Sequence, residues 1–200
     1  MATELELKLA VGDLHLLDCI LCSPDVRSRM HGDFTYLQTE STYFDTPDGK
    51  LAARHWALRL RKFAGKSVVT IKTPGDGLAR GEWETEAEYL EDAVPRLVKD
   101  GAPAELADIL QSGVLAPVCG TKFTRIRAML HLDGCVCELA GDIGELSRGT
   151  RRAPLCELEL ELKEGDAAPM LAYGRALAEK FGLREEHSSK SERARRLEQV

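Results

Sequence analysis

Glu4, Glu6 and Lys8 stand at every second position of Glu4-Leu5-Glu6-Leu7-Lys8-Leu9, with leucine between them. In an extended strand alternate side chains share a face. Two carboxylates and an ammonium therefore point one way and three leucines the other. The arrangement returns as Glu157-Leu158-Glu159-Leu160-Glu161-Leu162-Lys163. Paired carboxylates suit hard divalent cations, and rows of guanidinium and ammonium groups suit phosphate. Arg59/Arg61, Lys72 and Arg125/Arg127 supply such cations at strand spacing, and Glu82/Glu84/Glu86 and Glu138/Asp142 supply further acids.

A charged solvent face is the ordinary reading of any single strand of this kind. Here the charges sort by strand into acidic and basic sets, whereas solubility alone would mix them. The sorting predicts that the charged faces converge inside a closed sheet while helices cover the apolar faces. About eight strands make a barrel wide enough for side chains and one small ligand. Such an interior needs water, metal or ligand to neutralise it, and a polyanion with a divalent cation answers both signs. No P-loop, G-x-S-x-G or Cys/His nucleophile pattern is present. The histidines at 15, 31, 55, 131 and 187 are scattered and read as surface or core residues.

Alternation predicts strands over 3–10, 34–45, 58–63, 67–72, 80–88, 121–132, 135–142 and 155–163. Turns are expected at Thr46-Pro47-Asp48-Gly49, Ala64-Gly65-Lys66, Gly75-Asp76-Gly77 and Asp133-Gly134. Helical spacing predicts a helix from Gly12-Asp13 to about Cys22, with Leu14, Leu17, Asp18 and Leu21 on one face. Pro24 follows that apolar run. A helical turn is expected over 51–55. Two short helices are expected over 90–113, broken near Gly101-Ala102-Pro103. A longer helix spans 167–181 and ends at Gly182. The charged tail from Ser188 reads as helical. No linker or composition break appears, so 1–200 reads as one domain.

The 200 residues carry 44% hydrophobic and 30% charged side chains, a globular composition with material for a core. The net charge of −6 argues against a general nucleic-acid binder, though local clustering of cations still allows an anionic ligand. No stretch approaches the roughly 20 apolar residues of a membrane span, and the acidic N-terminus does not resemble a signal peptide. Cys19 and Cys22 form a C-x-x-C with no second pair, which weakens a zinc reading. In their apolar surroundings they read as buried, reduced thiols, in keeping with a cytoplasmic location.

The opening Glu4-x-Glu6-x-Lys8 resembles the E-x-E-x-K signature of the CYTH superfamily, the triphosphate tunnel metalloenzymes. Thr42-Tyr43-Phe44-Asp45-Thr46-Pro47, Leu58-Arg59-Leu60-Arg61, Thr70-Ile71-Lys72, Thr124-Arg125 and Cys156-Glu157-Leu158-Glu159-Leu160-Glu161 follow in that family's order, from Glu4 to Lys190. The resemblance implies an α+β fold: an eight-stranded antiparallel β-barrel, a tunnel open at both ends, with flanking helices. It also implies hydrolysis of triphosphates with Mg²⁺ or Mn²⁺. It is closest to bacterial inorganic triphosphatases, some of which carry a further helical, histidine-rich C-terminal domain that this sequence stops short of.

Position by position, the resemblance implies that Lys8, Arg59, Arg61, Lys72 and Arg125 grip phosphate, with Arg80 and Arg127 extending the set. Lys190 resembles a C-terminal lysine that closes on the phosphates. Glu4, Glu6, Asp142, Glu157, Glu159 and Glu161 match the metal side, and Glu82 and Glu84 form a secondary acidic group. Glu4, Glu6, Lys8 and Glu159 are the catalytic candidates. The expected partner is a small-molecule triphosphate, with no nucleic acid and no membrane; a homodimer is left open. The competing functions are a nucleoside or thiamine triphosphatase, a CYTH-type adenylate cyclase, and a non-catalytic polyphosphate-binding module. Base recognition would need an aromatic or hydrogen-bonding pocket at the barrel mouth, and the sequence reveals none.

Overall fold

The chain's architecture comes from a computed structural model that describes residues 2–76 and 79–197. Gly77 of the expected Gly75-Asp76-Gly77 turn lies outside the described residues. Eight antiparallel strands close into a barrel. In order around the wall they are β1 (Ala2–Ala10), β5 (Ala79–Glu86), β4 (Lys66–Pro74), β3 (Ala57–Phe63), β2 (Met30–Asp45), β6 (Ala116–Leu132), β7 (Cys135–Arg148) and β8 (Arg151–Gly165), which returns to β1. Closure depends on β1. It pairs with β5 from Ala2↔Glu82 to Leu5↔Ala79 and with β8 from Glu6↔Glu161 to Ala10↔Glu157. A two-residue strand, β9 (Arg184–Glu185), pairs with Leu9 and Ala10.

The barrel is dry outside and charged inside. On β1 and β8, Leu7, Leu9, Leu158 and Leu160 point outward into one core. There they meet Leu17, Ile20 and Leu21 of α1 (Leu14–Leu21), Val26 of α2 (Pro24–Arg29), and Met170 and Leu177 of α5 (Ala167–Phe181). On the opposite side, Leu58, Val69, Ile71 and Trp83 pack against α3 (Leu90–Lys99) and α4 (Glu105–Ser112). A last short helix, α6 (Lys190–Arg195), packs Ala194 against Tyr43, Cys119 and Phe123. Because alternate residues change face, burying the leucines outside sends the charged residues between them inward.

Several expectations need correction. Strands β2, β6, β7 and β8 run well beyond their alternating cores. The added stretches, such as Ala116-Pro117-Val118-Cys119-Gly120, carry no period-two signal, and their extension follows from ladder pairing with longer neighbours. Gly144 allows one such close approach: a Cβ there would lie 2.1 Å from the Lys122 carbonyl oxygen. Strand β5 ends at Glu86, not at residue 88. Pro24 does more than follow a helix. It occupies the first turn of α2, capped by the Ser23 hydroxyl, where its missing N–H costs nothing.

Cys19 and Cys22 are exposed, not buried. Helix α1 turns Leu17, Ile20 and Leu21 inward, which leaves both thiols, and Leu14, on the outer side. Among the scattered histidines, the rings of His31 and His131 lie 4.9 Å apart on neighbouring strands.

Candidate active site

The wall order sorts the tunnel by charge. Strands β7, β8 and β1 are neighbours and contribute Glu138, Asp142, Glu157, Glu159, Glu161, Glu4 and Glu6. The remaining wall contributes Arg80, Lys72, Arg59, Arg61, Arg125 and Arg127 from β5, β4, β3 and β6. Lys8 on β1 and Glu82 and Glu84 on β5 are the exceptions. A cavity of about 540 Å³ is lined by Glu4, Glu6, Lys8, Arg59, Arg61, Lys72, Arg80, Glu82, Glu84, Arg125, Arg127, Glu138, Glu159, Glu161 and Lys190. Asp142 and Glu157 lie behind this surface and are fully buried. Glu84 and Arg127 are exposed, although they line the cavity. A larger open depression of about 1150 Å³ by the β3–β4 turn carries Glu40, Lys62, Lys122 and Glu145, whose signs alternate across adjacent strands. It gathers no convergent set.

Register decides which charges meet. One row across the sheet reads Arg125↔Asp142↔Glu157, the next Arg127↔Ala140↔Glu159↔Lys8, and the third Glu138↔Glu161↔Glu6. Opposed side chains sit about 5 Å apart, so the third row places three carboxylates side by side. Each takes a separate cation: Arg127 lies 3.0 Å from Glu138, Lys163 2.6 Å from Glu161 and Lys8 3.3 Å from Glu6. Glu4 and Glu82 share Lys72, at 2.5 and 3.5 Å. Burial pushes the Glu161 carboxyl up; Lys163 offsets part of this, while Glu4 and Glu138 add to it.

The other acidic group is tighter. Oxygen atoms of Asp142, Glu157 and Glu159 all lie within 4.8 Å of one another. The Lys190 ammonium reaches all three, at 2.8 Å from Asp142 and 2.7 Å from Glu159, and pairs also with Glu157. Arg125 forms a two-pronged contact with Asp142, at 2.8 and 2.7 Å, and also pairs with Glu159. Arg193 pairs with Glu157. Burial resists ionisation of Glu159, but Lys190, Arg125 and Lys8 outweigh it and hold its carboxyl well below the usual range. Burial likewise resists charge on Lys190, and Asp142, Glu159 and Glu157 overcome it and raise the ammonium's pKa. Lys190 is thus no solvated tail charge. A reciprocal cap at the start of α6 aims it: the Ser189 hydroxyl accepts the Glu192 N–H at 3.1 Å, and the Glu192 carboxylate accepts the Ser189 N–H at 2.7 Å.

Arg61 is different. Among the described residues it has no carboxylate within 4.0 Å, and its one side-chain hydrogen bond goes to the Ser41 hydroxyl at 3.3 Å. Burial, followed by repulsion from Arg59 and Arg125, brings its pKa down to about 10. A half-buried guanidinium facing two others is a site that favours an anion.

Sequence reasoning assigned no role to Asp45 or Arg193. Asp45 is buried and accepts the Thr46, Leu51 and Ala52 N–H groups at 2.8, 2.8 and 3.0 Å. Its other tie is Arg195 of α6, at 3.0 Å. It therefore connects the turn after β2 to the helix that carries Lys190. The Ser189-x-x-Glu192 spacing was the available signal for this helix start.

A family model described as the CYTH domain matches residues 2–194. The chain belongs to the CYTH family. An inorganic triphosphatase of Haemophilus influenzae is 28% identical over 185 residues, 86% of this chain and 49% of that protein. The chain thus spans about half the length of that curated relative. In fold, the CYTH chain resembles a Pyrococcus horikoshii protein with TM-score 0.60 and 19% identity, covering 94% of this chain and 96% of that one. A Hippeastrum protein, described as a candidate adenylyl cyclase with a dominant triphosphatase activity, gives TM-score 0.54 at 18% identity, covering 98% and 95%. No helix among the described residues is long and apolar enough to cross a membrane.

Proposed function

We propose that this CYTH protein hydrolyses inorganic triphosphate to pyrophosphate and phosphate, with Mg²⁺ or Mn²⁺ as cofactor. The observation that carries the reading is the two-signed tunnel: a half-buried Arg61, without a carboxylate partner among the described residues, beside Arg59 and Arg125 and opposite a wall of carboxylates. The inorganic triphosphatase relative supports the same chemistry.

Phosphoryl transfer asks a protein for positioning and charge neutralisation more than for covalent chemistry. Arg59, Arg61 and Arg125 would hold the phosphates by paired N–H groups, and Lys8, Lys72 and Arg80 would extend the grip along the tunnel. Arg127 would add charge at the rim. Asp142, Glu157 and Glu159 offer an all-oxygen donor set, which fits a hard divalent ion better than a thiophilic one. Glu4, Glu6 and Glu161 form the second candidate group, with Glu82 and Glu84 as outer acids. The bound ion supplies charge neutralisation on phosphate oxygens and activation of water. Glu6 of the acidic wall would accept the proton of the attacking water, while Glu159, held ionised by Lys190, Arg125 and Lys8, would help orient it. The arginines would stabilise the charge that builds on the leaving pyrophosphate.

The test gives purified protein inorganic triphosphate, ATP and thiamine triphosphate in parallel with Mg²⁺ or Mn²⁺, and measures phosphate release and cyclic AMP. A flat inorganic triphosphate trace would overturn the proposal. Glu6→Ala should abolish turnover with the fold intact. Lys8→Ala should weaken binding, turnover or both. Near-normal rates in either variant would refute the assigned roles.

A further inference from the structure

We infer that the outer face of helix α1 binds a thiophilic divalent cation of the Zn²⁺ class through His15, Asp18, Cys19 and Cys22. The site is independent of the proposed hydrolysis. None of these four residues lines the tunnel cavity, and all four are exposed.

His15, Asp18, Cys19 and Cys22 stand at i, i+3, i+4 and i+7, a spacing that gathers them on one stripe of a helix. Leu17, Ile20 and Leu21 take the other side and are buried against the barrel. The C-x-x-C lacks a second cysteine pair, but the turn before it supplies an imidazole and a carboxylate instead. Two thiolates, one imidazole and one carboxylate make a four-ligand set of the kind Zn²⁺ takes in tetrahedral sites. The tunnel cluster of Asp142, Glu157 and Glu159 offers oxygen alone, so the two places would favour different ions.

The side chains already meet in pairs. Cys19 Sγ lies 3.9 Å from His15 Nε2, and Cys22 Sγ lies 3.7 Å from Asp18 Oδ1. Zn–S bonds of about 2.3 Å and Zn–N or Zn–O bonds of about 2.1 Å, at the tetrahedral angle, put neighbouring ligand atoms roughly 3.6 Å apart. Each pair thus sits near one edge of the tetrahedron. The backbone beneath is fixed at both ends. Asp13 accepts the Leu16 N–H at 2.8 Å, and the Cys22 N–H reaches the Asp18 carbonyl at 2.9 Å. Joining the two edges then takes rotation of exposed side chains. Two thiolates and a carboxylate leave one negative charge beyond what a divalent ion cancels. Arg27 of α2 answers it, donating to Cys22 Sγ at 3.9 Å.

A disulfide between the same cysteines suits this helix less well. It needs Cβ atoms about 3.5–4.5 Å apart, whereas residues three apart on a helix hold theirs at about 5–6 Å. A bridging ion spans that gap with two metal–sulfur bonds.

The experiment uses the full chain, reduced and stripped of transition metal, with Mg²⁺ in excess to occupy the tunnel acids. Co²⁺ is titrated in as a coloured probe for a Zn²⁺ site. One equivalent should give a thiolate-to-cobalt charge-transfer band and the intense visible bands of tetrahedral Co²⁺, and Zn²⁺ should abolish both. Cys19→Ser and Cys22→Ser should each at least halve the charge-transfer band, and the double variant should lose it. His15→Ala and Asp18→Ala should each weaken Co²⁺ binding by about 10-fold or more, since even groups that only support a ligand cost about 10- to 100-fold. Zn²⁺ should also shield Cys19 and Cys22 from iodoacetamide. No charge-transfer band in the parent overturns the inference, and so does a band that survives in the double cysteine variant. Unaltered affinity in both His15→Ala and Asp18→Ala overturns it as well, because two exposed thiols are then the whole site. Co²⁺ held by tunnel oxygens gives no thiolate band, so the result stands apart from whether the tunnel hydrolyses triphosphate.

Discussion

Arg61→Met should make the ligand-free protein more stable while crippling its grip on triphosphate. Burial and the neighbouring guanidiniums of Arg59 and Arg125 lower the Arg61 pKa from its ordinary value above 12 to about 10. That fall corresponds to about 3 kcal/mol against the charged form in the folded chain. The folded value lies below the unfolded one. The penalty is therefore whole at neutral pH and lifts only as pH rises through about 10. Methionine removes it but forfeits the Ser41 hydrogen bond, worth about 1 kcal/mol, and the guanidinium contact with the Phe123 ring at 5.8 Å, worth about 0.5–1 kcal/mol. A net gain of about 1 kcal/mol remains, or roughly 2–4 °C in Tm for a chain of this size. The variant should lose about 2–5 kcal/mol of triphosphate affinity, the usual cost of truncating one partner of a buried charge pair. Thermal melts and urea midpoints in phosphate- and metal-free buffer, with calorimetric titration of inorganic triphosphate, measure both effects. A variant less stable than the parent by 1 kcal/mol or more, on the order of the whole expected gain, would refute the electrostatic reasoning. So would triphosphate raising the Tm of both proteins equally.

Lys190→Ala leaves three buried carboxylates short of a cation, and breaking such a cluster costs about 3–5 kcal/mol, roughly 6–20 °C in Tm. Added Mg²⁺ or Mn²⁺ should recover part of it by preferential binding to the folded state; a metal-free Tm equal to the parent's would contradict the role given to the ammonium. Asp45→Ala removes the acceptor of three backbone N–H groups and the Arg195 ion pair. We expect a loss of about 2–4 kcal/mol in urea unfolding, and an unchanged midpoint would remove Asp45 as the organiser of that turn. Iodoacetamide at pH 8 should label exposed Cys19 and Cys22 first. Burial pushes Cys119 up to about 11 and Cys137 up to about 12, so both stay protonated. Mass spectrometry showing Cys119 or Cys137 modified as fast as Cys19 would contradict the packing around them.

Period-two alternation was enough to place β1, the β3–β4 hairpin and the cores of β6 to β8, and to identify their charged faces. A strand's alternation is written in its own residues, and burial of one face enforces it. The same local information could not give the strand ends, because 116–120 and 143–148 owe their extended state to partners across the ladder. Nor could it orient α1: Leu14 and Leu17 are equivalent in composition, but only Leu17 meets the barrel, so the cysteines emerged where burial was expected.

By itself the sequence determined that acidic and basic residues belong largely to different strands, β1 and β5 excepted, and that apolar residues, mostly leucine, stand between them. Only the tertiary structure decided which charges meet. Strand order brings the N-terminal β1 beside β8, register lines up Arg125, Asp142 and Glu157, and a short capped helix carries Lys190 back onto residues more than thirty positions earlier. The division has a physical cause. A side chain's face is a local property of the backbone, whereas its partner across a barrel depends on how distant segments pack, and a buried charge is tolerable only where that packing supplies its opposite.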